Sequence, residues 1–125
     1  MVIGLGTDLI EIERVQRSLD RFGERFLHKV FTQGEIVYCQ RKKHSAESFA
    51  ARFAAKEAAA KALGTGISRG ISWQEIEVRR ESGERPTLHL TGRAQERAAS
   101  MGVRNLQLSL THSRDVAMAV VIAEN

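Results

Sequence analysis

The sequence has a single cysteine, Cys39, and a single proline, Pro86. A lone cysteine has no partner for an internal disulfide, so stability must come from packing, and the usual framework of a secreted mini-protein is excluded. Long apolar runs are missing as well. The opening stretch Met1 to Gly6 is broken by Asp8 before a signal-peptide core forms, which points to a soluble, cytosolic chain with no membrane association. No proline-rich, serine-rich or low-complexity stretch and no repeat divides the sequence, so residues 1–125 read as one domain with its own core. Acid is in deficit: 15 Asp and Glu face 19 Lys and Arg, a net charge of +4. Such a surface attracts anions without saying whether they belong to nucleic acid, a nucleotide or an acidic protein.

The apolar pattern orders the elements. Val2-Ile-Gly-Leu-Gly-Thr-Asp is short, apolar and punctuated by glycine, the texture of a buried strand whose end presents Thr7 and Asp8. A helix follows over Glu13 to Phe22, with Val15, Leu19 and Phe22 on one side and Arg14, Arg17 and Arg21 on the other. Thr32-Gln-Gly-Glu35 matches a capping box and starts a helix running to about Arg41. After the polar Lys42-Lys43-His44 connection, Ser45 is placed to cap an alanine-rich helix that runs to Leu63 and stops at Gly64. Alternation then takes over: Ile76-Glu-Val and Thr87-Leu-His-Leu-Thr91 flank a turn around Gly83. A short helix spans Arg93 to Met101, and Leu106–Thr111 and Val116–Ile122 form a second strand pair. Helices early and strands late imply an α+β fold, with helices packed on a mainly antiparallel sheet.

Two carboxylates stand out in apolar or small surroundings, Asp8 and Glu57. An ionised acid there costs free energy unless a cation or hydrogen-bond donors compensate it, so the two suggest a shared divalent metal. Each also has a plainer reading. Glu57 and Lys61 are spaced as an ordinary helical ion pair, contributing only roughly 0.2–0.5 kcal/mol, and Asp8 is placed to cap the helix that follows it. The alanines flanking Glu57 tilt the balance, because they would let a ligand or a second chain approach it together with Lys61. Gly64-Thr-Gly66 is a weak signal for backbone N–H groups near a phosphate. His112, beside Ser113 where two strands join, is a candidate for contact with a phosphate or a metal-bound water. The Arg14, Arg17, Arg21 stripe reads either as a solvated helix face or, since no acidic residue balances it at those positions, as a surface for an acidic partner.

Gly4-Leu-Gly-Thr-Asp-Leu-Ile-Glu-Ile and Arg52-Phe-Ala-Ala-Lys-Glu-Ala-Ala-Ala-Lys-Ala-Leu-Gly-Thr-Gly-Ile67, in this order in a chain of this length, resemble the holo-[acyl-carrier-protein] synthases. These are the small bacterial type of 4′-phosphopantetheinyl transferase. The resemblance covers essentially the whole chain. It implies transfer of the phosphopantetheine arm of coenzyme A to a serine of apo acyl carrier protein, a step of lipid biosynthesis, with Mg²⁺ held by Asp8 and Glu57 and charge stabilised by Lys61. The base is left open between Glu57 and a metal-held water. The same likeness implies coenzyme A contacts from Lys43, His44, Arg52, Lys61, Gly64, Gly66, His112 and Ser113. It implies carrier-protein docking on Arg14, Arg17, Arg21 and Arg25, and a homotrimer with active sites at subunit boundaries. Two other readings stand beside it: a small basic nucleic-acid-binding domain, disfavoured because the basic helix lacks interleaved aromatic residues and most aromatics fall on core faces, and a carrier-binding module without catalysis.

Overall fold

The structure, a computed structural model, describes residues 1–125. Strand β1 (Val2–Glu11) leads into helices α1 (Ile12–Phe22), α2 (Glu24–Val30), α3 (Gln33–Gln40) and α4 (Ser45–Ala62). A single 3₁₀ turn at Trp73–Glu75 precedes β2 (Ile76–Arg79) and β3 (Thr87–Leu90), then come α5 (Gly92–Met101), β4 (Asn105–His112) and β5 (Val116–Glu124). β5 is the centre of an antiparallel three-stranded sheet in the order β1-β5-β4, and β2 and β3 form a separate antiparallel pair. The architecture is the expected α+β arrangement. No helix is long and apolar enough to cross a membrane.

Helix α4 lies on the inner face of the three-stranded sheet and is buried nearly all round, with Ala50, Ala54, Ala55, Ala58 and Ala60 inaccessible. Alanine has the highest helix propensity, so this run builds an 18-residue helix while leaving almost no side-chain bulk. The strand answers in kind. A Cβ at Gly6 would overlap the Ala58 carbonyl, and one at Gly4 would overlap that of Ala62. The small residues around Glu57 therefore seat α4 closely on β1. Where the helix ends, Leu63 is the C-cap, and Gly64 (φ +77°) reverses the chain in a Schellman motif. There Gly64 N–H donates to the Lys61 carbonyl (2.9 Å) and Thr65 N–H to that of Ala60 (3.2 Å).

Local signals are realised closely. Thr32 accepts from Glu35 N–H (3.2 Å) while Glu35 Oε1 accepts from Thr32 N–H (2.9 Å), the reciprocal capping box. At α4 the expectation misses by one residue: Ser45 is already helical, and His44 occupies the N-cap without a side-chain bond. Phe22 was expected on the buried side of α1, but it is 46% exposed and lies on the arginine side, its ring 5.2 Å from the Arg21 guanidinium. Helix α2 had no counterpart in the sequence reading. It buries Leu27 and Val30 after a single-residue break at Gly23.

Beneath these layers lies a polar knot. Lys56 donates to Glu35 Oε1 at 2.5 Å with both side chains inaccessible, and Glu35 Oε2 accepts from Val78 N–H (2.7 Å), tying α3, α4 and β2 together. Burial pushes the Lys56 ammonium below its ordinary pKa, and Glu35 opposes that shift. Cys39, also buried, has its thiol pushed up to about 12, chiefly by burial, and is chemically quiet.

Candidate active site

β1 does not end at Asp8. Its pairing with β5 continues through Asp8↔Ala119 to Glu11↔Val116, so Asp8 projects from mid-strand on the face that carries Gly6 and Ile10 toward α4. The N-cap of α1 is Glu11, and no side chain caps that helix. The capping role weighed for Asp8 is therefore not the one it plays.

Lys61, at the end of α4, donates to Asp8 Oδ1 (3.1 Å) and to the Thr7 carbonyl (2.9 Å). Its ion pair is thus across to the strand and not along the helix to Glu57. Glu57, half-buried one turn earlier, keeps no cation of its own. Its carboxyl is shifted above the usual range, first by burial, then by the charge of Asp8, with Lys61 pulling the other way. Two carboxylates of opposite element origin and one ammonium make a compact cluster of net charge −1. Two neighbouring acids with an ammonium paired to only one of them are short of positive charge, which is the electrostatic condition for taking up another cation. Nowhere do three or more His, Cys, Asp or Glu side chains converge as a closed metal site would need. The donor set therefore suits a hard cation that keeps water and substrate oxygens among its ligands, the habit of Mg²⁺.

The expected coenzyme A residues fall into two groups. Lys61, Gly64 and Gly66 lie at the C-terminal end of α4. The N–H groups of Gly64, Thr65 and Gly66 all donate to carbonyls of that helix, so they are not free donors for a phosphate. What Gly66 offers is open space where a side chain would stand. Arg52 and His112 instead line a cavity of about 460 Å³ with Tyr38, Lys42, Glu47 and Arg80. Arg52 and Lys61 are nine residues apart on one helix, about 13 Å along its axis. Lys43 and His44 are exposed in the turn before α4, outside both groups of lining residues. Ser113 Oγ accepts from the N–H groups of Asp115 and Val116 at 3.4 Å, bracing the β4–β5 turn.

Arg14, Arg17 and Arg21 line one shallow groove on α1, and Arg25 lines the next one with Phe22, Phe26 and Lys29. None of these arginines is in an ion pair. Tyr38, Lys42 and Arg80 were not singled out from the sequence. The spacing of four between Tyr38 and Lys42 was the signal available for the first two.

A family model described as the 4′-phosphopantetheinyl transferase superfamily matches residues 4–121, and the chain belongs to that superfamily. Within it the chain sits among the holo-[acyl-carrier-protein] synthases, which makes it an enzyme of the transferase class. It is 48% identical to the holo-[acyl-carrier-protein] synthase of Solibacter usitatus over 125 residues, covering all of both chains. It is 50% identical to that of Chlamydia trachomatis serovar L2 over 123 residues, covering 98% of this chain and all of the other. The crystal structure of the Neisseria meningitidis holo-[acyl-carrier-protein] synthase superposes with a TM-score of 0.91 at 30% identity over the whole of both chains. That of the Helicobacter pylori enzyme in complex with coenzyme A gives 0.84 at 31%, covering 96% of this chain and 99% of the other.

Proposed function

We propose that residues 1–125 act as one cytoplasmic transferase domain. It moves the 4′-phosphopantetheine arm of coenzyme A to a serine hydroxyl of apo acyl carrier protein and releases adenosine 3′,5′-bisphosphate. The observation that carries this reading is the cluster in which Lys61 bridges Asp8 and the Thr7 carbonyl beside a half-buried Glu57. The relative crystallised with coenzyme A supports the choice of donor.

In the reaction, the serine oxygen forms a bond to the β-phosphorus of the pyrophosphate. The bond from that phosphorus to the bridging oxygen breaks, and its electron pair leaves on the nucleotide. Mg²⁺, held by Asp8 and Glu57, would supply Lewis-acid stabilisation of the phosphate oxygens. Lys61 sits beside the same carboxylates and meets the charge that builds on the leaving phosphate. The serine proton passes to Glu57 or to a water beside it. Arg14, Arg17, Arg21 and Arg25 are left without acidic partners in the chain and supply the surface for an acidic carrier protein.

A homotrimer accounts for two further features. Leu5 and Leu9 on the outer face of β1 are 61% and 62% exposed, and Met118 opposite Leu9 is 38% exposed, an apolar strip that a second copy would cover. The separation of Arg52 and His112 from Lys61 suits a site completed by a neighbouring chain.

The test is incubation of the protein with coenzyme A, Mg²⁺ and apo acyl carrier protein, with and without a chelator. The carrier should gain the mass of one phosphopantetheine, and the chelator should stop the gain. An unmodified carrier, already proven competent with another transferase, would overturn the reading. Full turnover in chelator would overturn its metal.

A further inference from the structure

Arg52 is 4% exposed, its Nε is buried without a hydrogen-bond partner, and its one bond within the chain is a long 3.5 Å contact from Nη1 to the Ser48 carbonyl. No carboxylate lies within ion-pair distance of Arg52, Lys42 or Arg80, although Glu47 lines the same cavity. A buried guanidinium left in that state is costly. The compensation comes from Tyr38 at the end of α3. The Arg52 guanidinium carbon is 4.1 Å from the centre of its ring, and Lys42 Nζ is 4.7 Å from the same centre. An aromatic face attracts cations through its quadrupole and takes up none of their N–H donors. A carboxylate in the same place would hold Arg52 equally well, but it would neutralise the charge and occupy the donors.

We propose that Tyr38 is a positioning residue for substrate: it gathers Arg52 and Lys42 over one cavity, un-neutralised and with donors free, to meet a phosphate of the nucleotide substrate. This rests on the transferase reading, in which that substrate is coenzyme A. Arg80 adds a third positive charge to the cavity wall, and His112 lines it beside Arg52. The ring is the working part, and the phenolic hydroxyl takes no part in either contact.

Steady-state kinetics with coenzyme A varied at saturating apo carrier protein, and inhibition by adenosine 3′,5′-bisphosphate, test this. Tyr38→Phe should match the parent protein within about twofold, since the ring is kept. Tyr38→Leu should raise KM for coenzyme A and weaken the bisphosphate by about five- to tenfold, with kcat and KM for carrier protein changed by less than about twofold. In an Arg52→Ala background, Tyr38→Leu should add little. If Tyr38→Leu does not fold, phenylalanines of increasing fluorination at position 38 keep the shape and weaken the ring face, and KM for coenzyme A should climb along the series. Unchanged KM, an equal loss in kcat, or full additivity with Arg52→Ala would overturn the proposal while the transferase reading stands. A parent protein that binds no coenzyme A would overturn both.

Discussion

Lys61 sits one turn after Glu57 on α4, yet its ammonium is spent on Asp8 and the Thr7 carbonyl. Glu57 is left as the half-buried acid with a like charge beside it and no direct cation, a group that gains nothing for folding by being ionised. It follows that Glu57→Gln should leave the melting temperature unchanged or slightly higher while lowering turnover by about three orders of magnitude or more, because the amide keeps the shape and loses the ligand charge. Parallel thermal melts and carrier-mass assays check both halves, and an active Glu57→Gln protein would refute the assigned role. Glu75 shows the opposite electrostatics. Ser72 N–H holds its carboxylate at 2.7 Å, Arg93 N–H in the first turn of α5 donates to it as well, and its pKa lies below the ordinary value for that reason. Since α5 has no side-chain cap from Thr91, Glu75 does that work from a distance. A depressed folded-state pKa means that the stabilisation is fully present above the unfolded value of about 4.3 and fades as pH falls through the folded one. In urea titrations, the stability gap between the parent protein and Glu75→Gln should be constant from neutrality to about pH 5 and shrink below it. A gap that widens in acid would contradict the assignment.

At the scale of elements, the Glu35–Lys56 pair is the joint between α3, α4 and β2, and both charges have left water completely. Removing one partner strands the other, so Lys56→Met should cost about 3–5 kcal/mol, whereas Glu35→Leu combined with Lys56→Met should recover a large part of that loss. Chemical denaturation of the two single variants and the double variant measures the coupling, and simple additivity would show that the pair does not act as a unit. Neither the burial nor the pairing of these residues was legible in the sequence. Glu35 declared itself only as the third residue of a capping box, a signal confined to four residues. Its partner lies 21 positions away and is set by how α3 crosses α4. The same division runs through the molecule. The Schellman glycine after α4, the β2–β3 hairpin and the β4–β5 pair were read correctly because their chemistry is local. The docking of β1 against β5, which carries Asp8 on beyond the expected strand end, depends on residues more than a hundred positions apart. Of the site, Asp8, Glu57 and Lys61 were legible as chemically unusual residues in a family-like frame. That Lys61 answers Asp8 instead of Glu57, and that Tyr38 underlies Arg52, follows only from the packing of α4 on β1 and beside α3.

For the whole molecule, the proposed site draws on two separated groups of residues. Asp8, Glu57 and Lys61 cluster toward the C-terminal end of α4, Arg52 lies near its middle beside the cavity that His112 also lines, and about 13 Å of helix separates Arg52 from Lys61. In the proposed ring of three copies meeting through the exposed apolar strip of Leu5, Leu9 and Met118, the contacts would be head-to-tail, and the acidic cluster of one chain would face a different surface of the next. If each active site joins the acidic centre of one chain to the Arg52 cavity of its neighbour, a trimer of Glu57→Gln chains and a trimer of Arg52→Ala chains each lack one half of every site. Mixing them through unfolding and reassembly makes rings in which some boundaries unite an intact Glu57 from one chain with an intact Arg52 from the other. With equal amounts and random assembly, about a quarter of the boundaries are whole, and the mixture should recover about that fraction of parental turnover. Native mass spectrometry of the mixed sample verifies that three-chain rings have exchanged. Exchanged rings with no recovery would mean that each chain completes its own site, and a ligand would then have to span the distance from Lys61 to Arg52 within one chain.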